Sequence, residues 1–142
     1  MPLATLRNIL RVLLALGFLA AAYFHLRDPG LLLPIMPDWV PFPYSVIIVT
    51  GLCEAAGAIA LFTPLRRAAG IALALYAVCV YPANIKHALD NVPVDGVHLS
   101  WWYHAPRLLF QPMIVWWSLF AGTVIDWPFT ARPRGRKSPH SS

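Results

Sequence analysis

Apolar residues dominate four stretches of the chain, at about residues 6–26, 44–63, 68–89 and 104–125. Each is roughly 20 residues long, enough for an α-helix rising 1.5 Å per residue to cross the ~30 Å of bilayer hydrocarbon. Polar residues do not recur along one face of these stretches, as they would on the solvated side of a soluble helix. They gather at the ends. The pattern predicts an all-α integral membrane four-helix bundle over residues 1–128.

The breaks between the stretches carry the residues that stop helices. Arg27-Asp28-Pro29-Gly30 closes the first, Thr63-Pro64 the second, and Asp126-Trp127-Pro128 the fourth. Pro82 lies inside the third, where its missing N–H predicts a kink. The linker over residues 31–43 is apolar but contains Pro34, Pro37, Pro41 and Pro43, so it cannot span. Irregular backbone at membrane depth is tolerated only against protein or water, which predicts that this linker roofs the bundle. Residues 90–103 form a polar loop ending in Trp101-Trp102-Tyr103, an aromatic belt of the kind found at headgroup depth.

Composition fits this reading. Of 142 residues, 58% are hydrophobic and 12% charged, against about 25% charged in soluble domains. The net charge of +5 does not imply nucleic acid, because the basic residues flank the apolar stretches. Four spans place both termini on one side. Arg7, Arg11, Arg66, Arg67, Arg132, Arg134, Arg136 and Lys137 then share that side, against Arg27, Lys86 and Arg107 on the other. The positive-inside rule makes both termini cytoplasmic. The first stretch is too long for a signal-peptide core and is expected to be retained. The tail, residues 129–142, is expected to be a basic, disordered cytoplasmic segment. Cys53 and Cys79 lie inside apolar stretches with no CxxC, so neither a disulfide framework nor a zinc site is expected.

The candidate chemistry lies at the non-cytoplasmic ends of the helices. Glu54 sits about ten residues into the second stretch, roughly 15 Å from its outer end. A carboxylate at that depth should face protein or a water-filled cavity and have a partner. His25 ends the first stretch. Asn84 and His87 lie in the last turns of the third. Arg107 and Gln111 share a face of the fourth. Together they predict a polar pocket open to the outside, with Glu54 as its floor and Arg107 as its counter-ion, directly or through Gln111 or Asn84. Plainer roles are a buried tie for Glu54, helix-end capping for His25 and His87, and snorkelling for Arg107. His25-x-x-Asp28 and His87-x-x-Asp90 echo one another, as a repeat of two helical hairpins would. No recognised metal-ligand spacing is present.

A series of motifs carries a resemblance. Phe24-His25 and Pro29 precede the run Ile35-Met36-Pro37-Asp38-Trp39-Val40-Pro41-Phe42-Pro43. Then come Gly51-x-x-Glu54, Leu61-x-x-Pro64, Arg66-Arg67-Ala68-Ala69, Pro82-Ala83-Asn84-Ile85, His87 and Arg107-x-x-x-Gln111. In this order, over about residues 10–120, the chain resembles the DoxX-like family of small four-helix bacterial membrane proteins. That family is named for a subunit of a thiosulfate:quinone oxidoreductase. The resemblance implies the membrane subunit of a quinone-linked redox system, in which Glu54 with His25 or His87 carries protons while Arg107, Gln111 and Asn84 orient a polar head group. No flavin, haem or iron–sulfur motif is present, so electrons would come from a redox partner protein. The other readings are a small-molecule, lipid-binding or transport-accessory protein, and a structural anchor docked through the basic tail. A homo-oligomer is compatible with each.

Overall fold

The computed structural model describes residues 1–129. The segment expected to be a disordered basic tail lies, from residue 130 onward, outside the described residues. Four long helices form: α1 (Leu3–Arg27), α2 (Pro43–Ala60), α3 (Arg66–Leu89) and α4 (Trp101–Ala121). A short 3-10 helix, Pro29–Ile35, follows α1. The described residues are all-helical, with no β-strand beyond an isolated bridge between Val94 and Val97.

Three helices, α1, α2 and α3, are long and apolar enough to cross a membrane. The fourth has 21 residues, but His104, Pro106, Arg107, Gln111 and Pro112 make it less apolar. It begins a turn earlier than expected, because Trp101-Trp102-Tyr103 winds into its first turn after the extended Ser100. It ends at Ala121, where Gly122 and then Thr123, at φ 61°, leave the helical register. The third helix runs through Pro82 without a break.

The helices pack as a ring in chain order. α1 against α2 and α3 against α4 are the extensive contacts, with α1·α4 and α2·α3 closing the ring. This pairing is that of two helical hairpins. It brings the N-terminus of α1 and the C-terminus of α4 to one end. Outward-facing Leu16, Val49, Leu52, Leu75 and Val78 are each more than half exposed. The exterior is therefore apolar to an extent that a soluble monomer avoids.

The close-packed core lies at the end holding the N-terminus of α1. Leu14, Ala15, Phe18, Ala58, Leu61, Ala69, Leu73 and Ala121 form it. Here α3 and α4 touch through their backbones. A Cβ added at Gly70 would lie 2.7 Å from both the Gly122 Cα and the Ser118 carbonyl oxygen. Small residues permit such contact, and dispersion then holds the pair where lipid offers no hydrophobic drive.

Polar groups latch the same end. Arg11 is only 7% exposed. Its Nε donates to the Ala121 carbonyl at 3.0 Å and its Nη1 to Asn8 Oδ1 at 2.9 Å. Arg7 pairs with Asp126, and its guanidinium lies 4.6 Å from the Phe120 ring centre. Trp117 Nε1 donates to the Leu10 carbonyl at 2.8 Å. The carbonyls that α4 leaves unpaired at its C-terminus explain the Arg11 bond, since a helix end must find donors outside itself.

Gly70→Leu is expected to force α3 from α4 and to lower stability by about 1–3 kcal/mol or more, read as a fall in the unfolding midpoint in detergent. An unchanged midpoint would contradict the backbone contact.

Candidate functional site

The end opposite the core holds a half-open cavity of about 650 Å³, within the size range of sites for drug-sized ligands. Its walls are mostly apolar. Five of the six residues singled out from the sequence line it: His25, Glu54, Asn84, Arg107 and Gln111. The linker lies over it, with Leu32, Ile35 and Met36 on its wall and the exposed Trp39 at its edge. Lys86 straps this roof down, its Nζ donating to the Met36 carbonyl at 3.0 Å and to Asp38 Oδ1 at 2.7 Å. The roof expected from the prolines is therefore present, and Lys86 supplies a fastening not foreseen.

Glu54 is 3% exposed. Its Oε1 accepts a hydrogen bond from the Tyr76 hydroxyl at 2.7 Å. His25 Nδ1 lies 3.2 Å from Oε2 and 2.8 Å from the Ala21 carbonyl oxygen. A ring nitrogen flanked by two oxygens must carry a hydrogen. That N–H is aligned on Ala21, so Oε2 has a close neighbour but no hydrogen bond. The Gly51-x-x-Glu54 motif explains why α1 comes so near. A Cβ at position 51 would sit 2.8 Å from the Cβ of His25. Glycine lets α1 approach, and Glu54, three residues on, shares the same face.

A second chain of hydrogen bonds joins α3 to α4. The Ala77 carbonyl can only accept, so Gln111 Nε2 donates to it, at 2.6 Å. Gln111 Oε1 then accepts from Asn84 Nδ2 at 3.1 Å. That leaves Asn84 Oδ1 to accept from Arg107 Nη2 at 2.6 Å. The backbone thus fixes both amide orientations. Arg107 Nη1 completes the chain by donating to His87 Nδ1 at 2.8 Å, which makes His87 an acceptor at that nitrogen.

Two expectations are corrected by this geometry. Arg107 is not the counter-ion of Glu54: among the described residues no carboxylate lies within 4.0 Å of it. Its acceptors belong to α3, one helical neighbour away. Nor is Glu54 the floor. Its carboxylate sits at the level of Ala21 and His25, whereas Leu13 and Leu14 also line the cavity, about 10 Å further along α1. With Ile114 and Trp117 they make an apolar floor, and Glu54 is a wall group. His87 does not line the cavity; it stands behind Arg107 and acts through it.

Tyr76 is the residue that sequence reasoning missed. Its signal was available, since a hydroxyl within an apolar stretch needs a partner, but nothing in the spacing pointed to Glu54. His104 was also unexpected inside the protein. It is 2% exposed, lies edge-on to His87 at 4.7 Å, and has no hydrogen-bond partner on either ring nitrogen. Cys53 and Cys79 are free and exposed. Among the described residues no group of three or more His, Cys, Asp or Glu side chains is placed to hold a metal ion.

Fold and site define an all-helical protein with an apolar exterior, three helices of membrane-crossing length and apolarity, and a half-open cavity beneath the linker, lined by polar groups from all four helices. Residues 14–121, which include α2, α3 and the whole of the cavity's helical wall apart from Leu13, match the family described as Domain of unknown function (DUF8561), and the chain belongs to that family. No curated protein and no solved structure matches it.

Tyr76→Phe leaves Oε1 of a buried carboxylate without its donor. A loss of about 1–3 kcal/mol is expected, read by unfolding in detergent. In a Glu54→Leu background the same change should have little effect, and equal losses in the two backgrounds would show that Tyr76 and Glu54 are not coupled.

Proposed function

We propose that this chain is a multi-pass protein of the bacterial inner membrane that holds a small amphiphilic molecule in the cavity between its helices. α4 crosses the membrane with the other three, both ends of the bundle's chain lie on the cytoplasmic side, and the roof faces outward. The convergence of polar groups from every helix on one apolar cavity carries this reading. His25 comes from α1, Glu54 from α2, Tyr76 and Asn84 from α3, and Arg107 and Gln111 from α4. Ligand sites have this make-up: apolar walls and a few placed polar groups that fix orientation. Glu54 Oε2, buried without a hydrogen bond, is available to a donor on the occupant. A wholly structural role would not call for an apolar space of this size beside such a carboxylate, because protein interiors are close-packed.

A second reading is favoured by the DoxX-like motifs together with the Tyr76–Glu54–His25 cluster. Here the occupant is a quinone, and the chain is the membrane subunit of a redox system. A reduced partner protein supplies two electrons. Two protons enter through Glu54 and His25, and the quinone leaves as hydroquinone. Arg107, Asn84 and Gln111 orient its head. His25 takes the proton role in preference to His87, which is not on the cavity wall. The third role, an anchor docked through its tail, would rest on residues outside those described.

Gly17 provides the test. It lines the cavity, and a Cβ there would meet no atom within 4 Å. Gly17→Phe should therefore fill the space without disturbing the core. Organic extracts of wild-type protein purified from native membranes are expected to contain one amphiphile near stoichiometric amounts, and the variant about tenfold less at an unchanged unfolding midpoint. A quinone is recognised in the extract by its ultraviolet absorbance, which separates the two readings. Equal ligand content in the two proteins would sink the cavity as the binding site.

A further inference from the structure

The two opposite charges on the cavity wall, Glu54 and Arg107, are not paired with each other. Glu54 is the one carboxylate there among the described residues; it accepts a hydrogen bond from Tyr76, and His25 lies beside it at 3.2 Å. Arg107 is a half-buried cation on the same wall with no carboxylate within 4.0 Å. Its two terminal nitrogens are held on neutral acceptors, His87 Nδ1 and Asn84 Oδ1. The orientation of Asn84 is itself fixed through Gln111 from the Ala77 backbone. Each terminal nitrogen carries two hydrogens, so each keeps one after these bonds. The guanidinium is thus held rigid from behind with part of its donor fork unused. An ionised group at membrane depth pairs with a partner or marks a substrate path, and this one has no anionic partner among the described residues.

From this unpaired guanidinium and its unused donors we infer that the occupant carries an anionic head bound by Arg107, and that its chemical class is a single-chain carboxylic acid of the fatty-acid type. The inference rests on the small-amphiphile reading proposed above. A carboxylate presents two oxygens in a plane, which a guanidinium fork matches with parallel hydrogen bonds. The tail has a defined course. From Arg107 the wall descends through Phe110 and Ile114 to Trp117 on α4, facing Leu14 and Phe18 on α1. Ten residues of α4 separate Arg107 from Trp117, about 15 Å of helix, so the apolar wall suits an extended chain. The cavity volume suits one such chain rather than the two of a diacyl lipid. The linker roof closes over the head, with Lys86 outside the cavity and already committed to Asp38, so Arg107 is the cation that meets the anion.

The test compares tritiated oleate with tritiated oleyl alcohol, which has the same tail and a neutral head, on the full chain purified and delipidated in detergent. Wild type is expected to bind the acid roughly 10- to 100-fold more tightly than the alcohol, the effect of a hydrogen-bonded charge pair. Arg107→Gln should abolish the preference for the acid over the alcohol. Arg107→Lys, which keeps the charge and loses the fork, should retain part of the preference. The wild-type comparison needs no variant, so it decides the question even if Arg107→Gln does not fold. Equal affinities of wild type for acid and alcohol would overturn the anionic head while leaving the amphiphile site intact. Failure of both ligands to bind wild type would overturn the amphiphile reading itself. A preference for the acid that survives in Arg107→Gln would show that another group supplies the charge.

Discussion

The hydrogen bond from Tyr76 to Glu54 is the interaction on which the site depends. A carboxylate that is 3% exposed on an apolar helix must be met by donors from its neighbours, or its burial would cost several kcal/mol. The donor comes from Tyr76 on α3, and α1 comes close enough to set His25 3.2 Å from the other oxygen. Glu54 therefore fixes the mutual positions of three helices at the level where their apolar packing gives way to the cavity. Gly51 is the condition for this, since any larger residue would hold His25 away.

The two ends of the bundle are built on different principles. At one end, small residues bring α3 and α4 into backbone contact, and the core is filled. Arg11 and Trp117 tie α1 to α4 there through carbonyl acceptors. At the other end, directional polar bonds replace packing. They hold the helices in place without filling the space between them, which is how a cavity persists within a helical bundle. The linker completes this end as a strapped cover. Rigidity below and spacing above are the arrangement expected of a binding site, whose polar groups must be set before the ligand arrives.

Much of this was legible in the sequence. Four apolar stretches, their proline and glycine breaks, and the proline-rich linker predict the helices and the roof. One ionisable group in an apolar stretch marks the site, and Arg107 with Gln111 at i and i+4 marks a shared face. The pairing of those groups was not legible. Spacing says which residues share a face of one helix but not which face looks at which neighbour. Glu54 and Arg107 were matched by charge, whereas the ring of helices delivers Tyr76 to one and Asn84 to the other. Arg11 misled for a related reason. A basic residue near a helix end reads as a flanking charge, but α4 ends beside it and leaves a carbonyl that its Nε satisfies.

The central claim is that a molecule lies inside the ring of helices rather than around it. Photo-crosslinking with a diazirine placed on the acyl chain of an amphiphile, followed by peptide mass spectrometry, tests this most directly. The account predicts adducts on cavity-wall residues such as Phe18, Phe110 and Ile114, suppressed by an excess of the unlabelled molecule. Adducts confined to the outward faces, at Leu16, Leu52 and Leu75, and insensitive to competition, would contradict it.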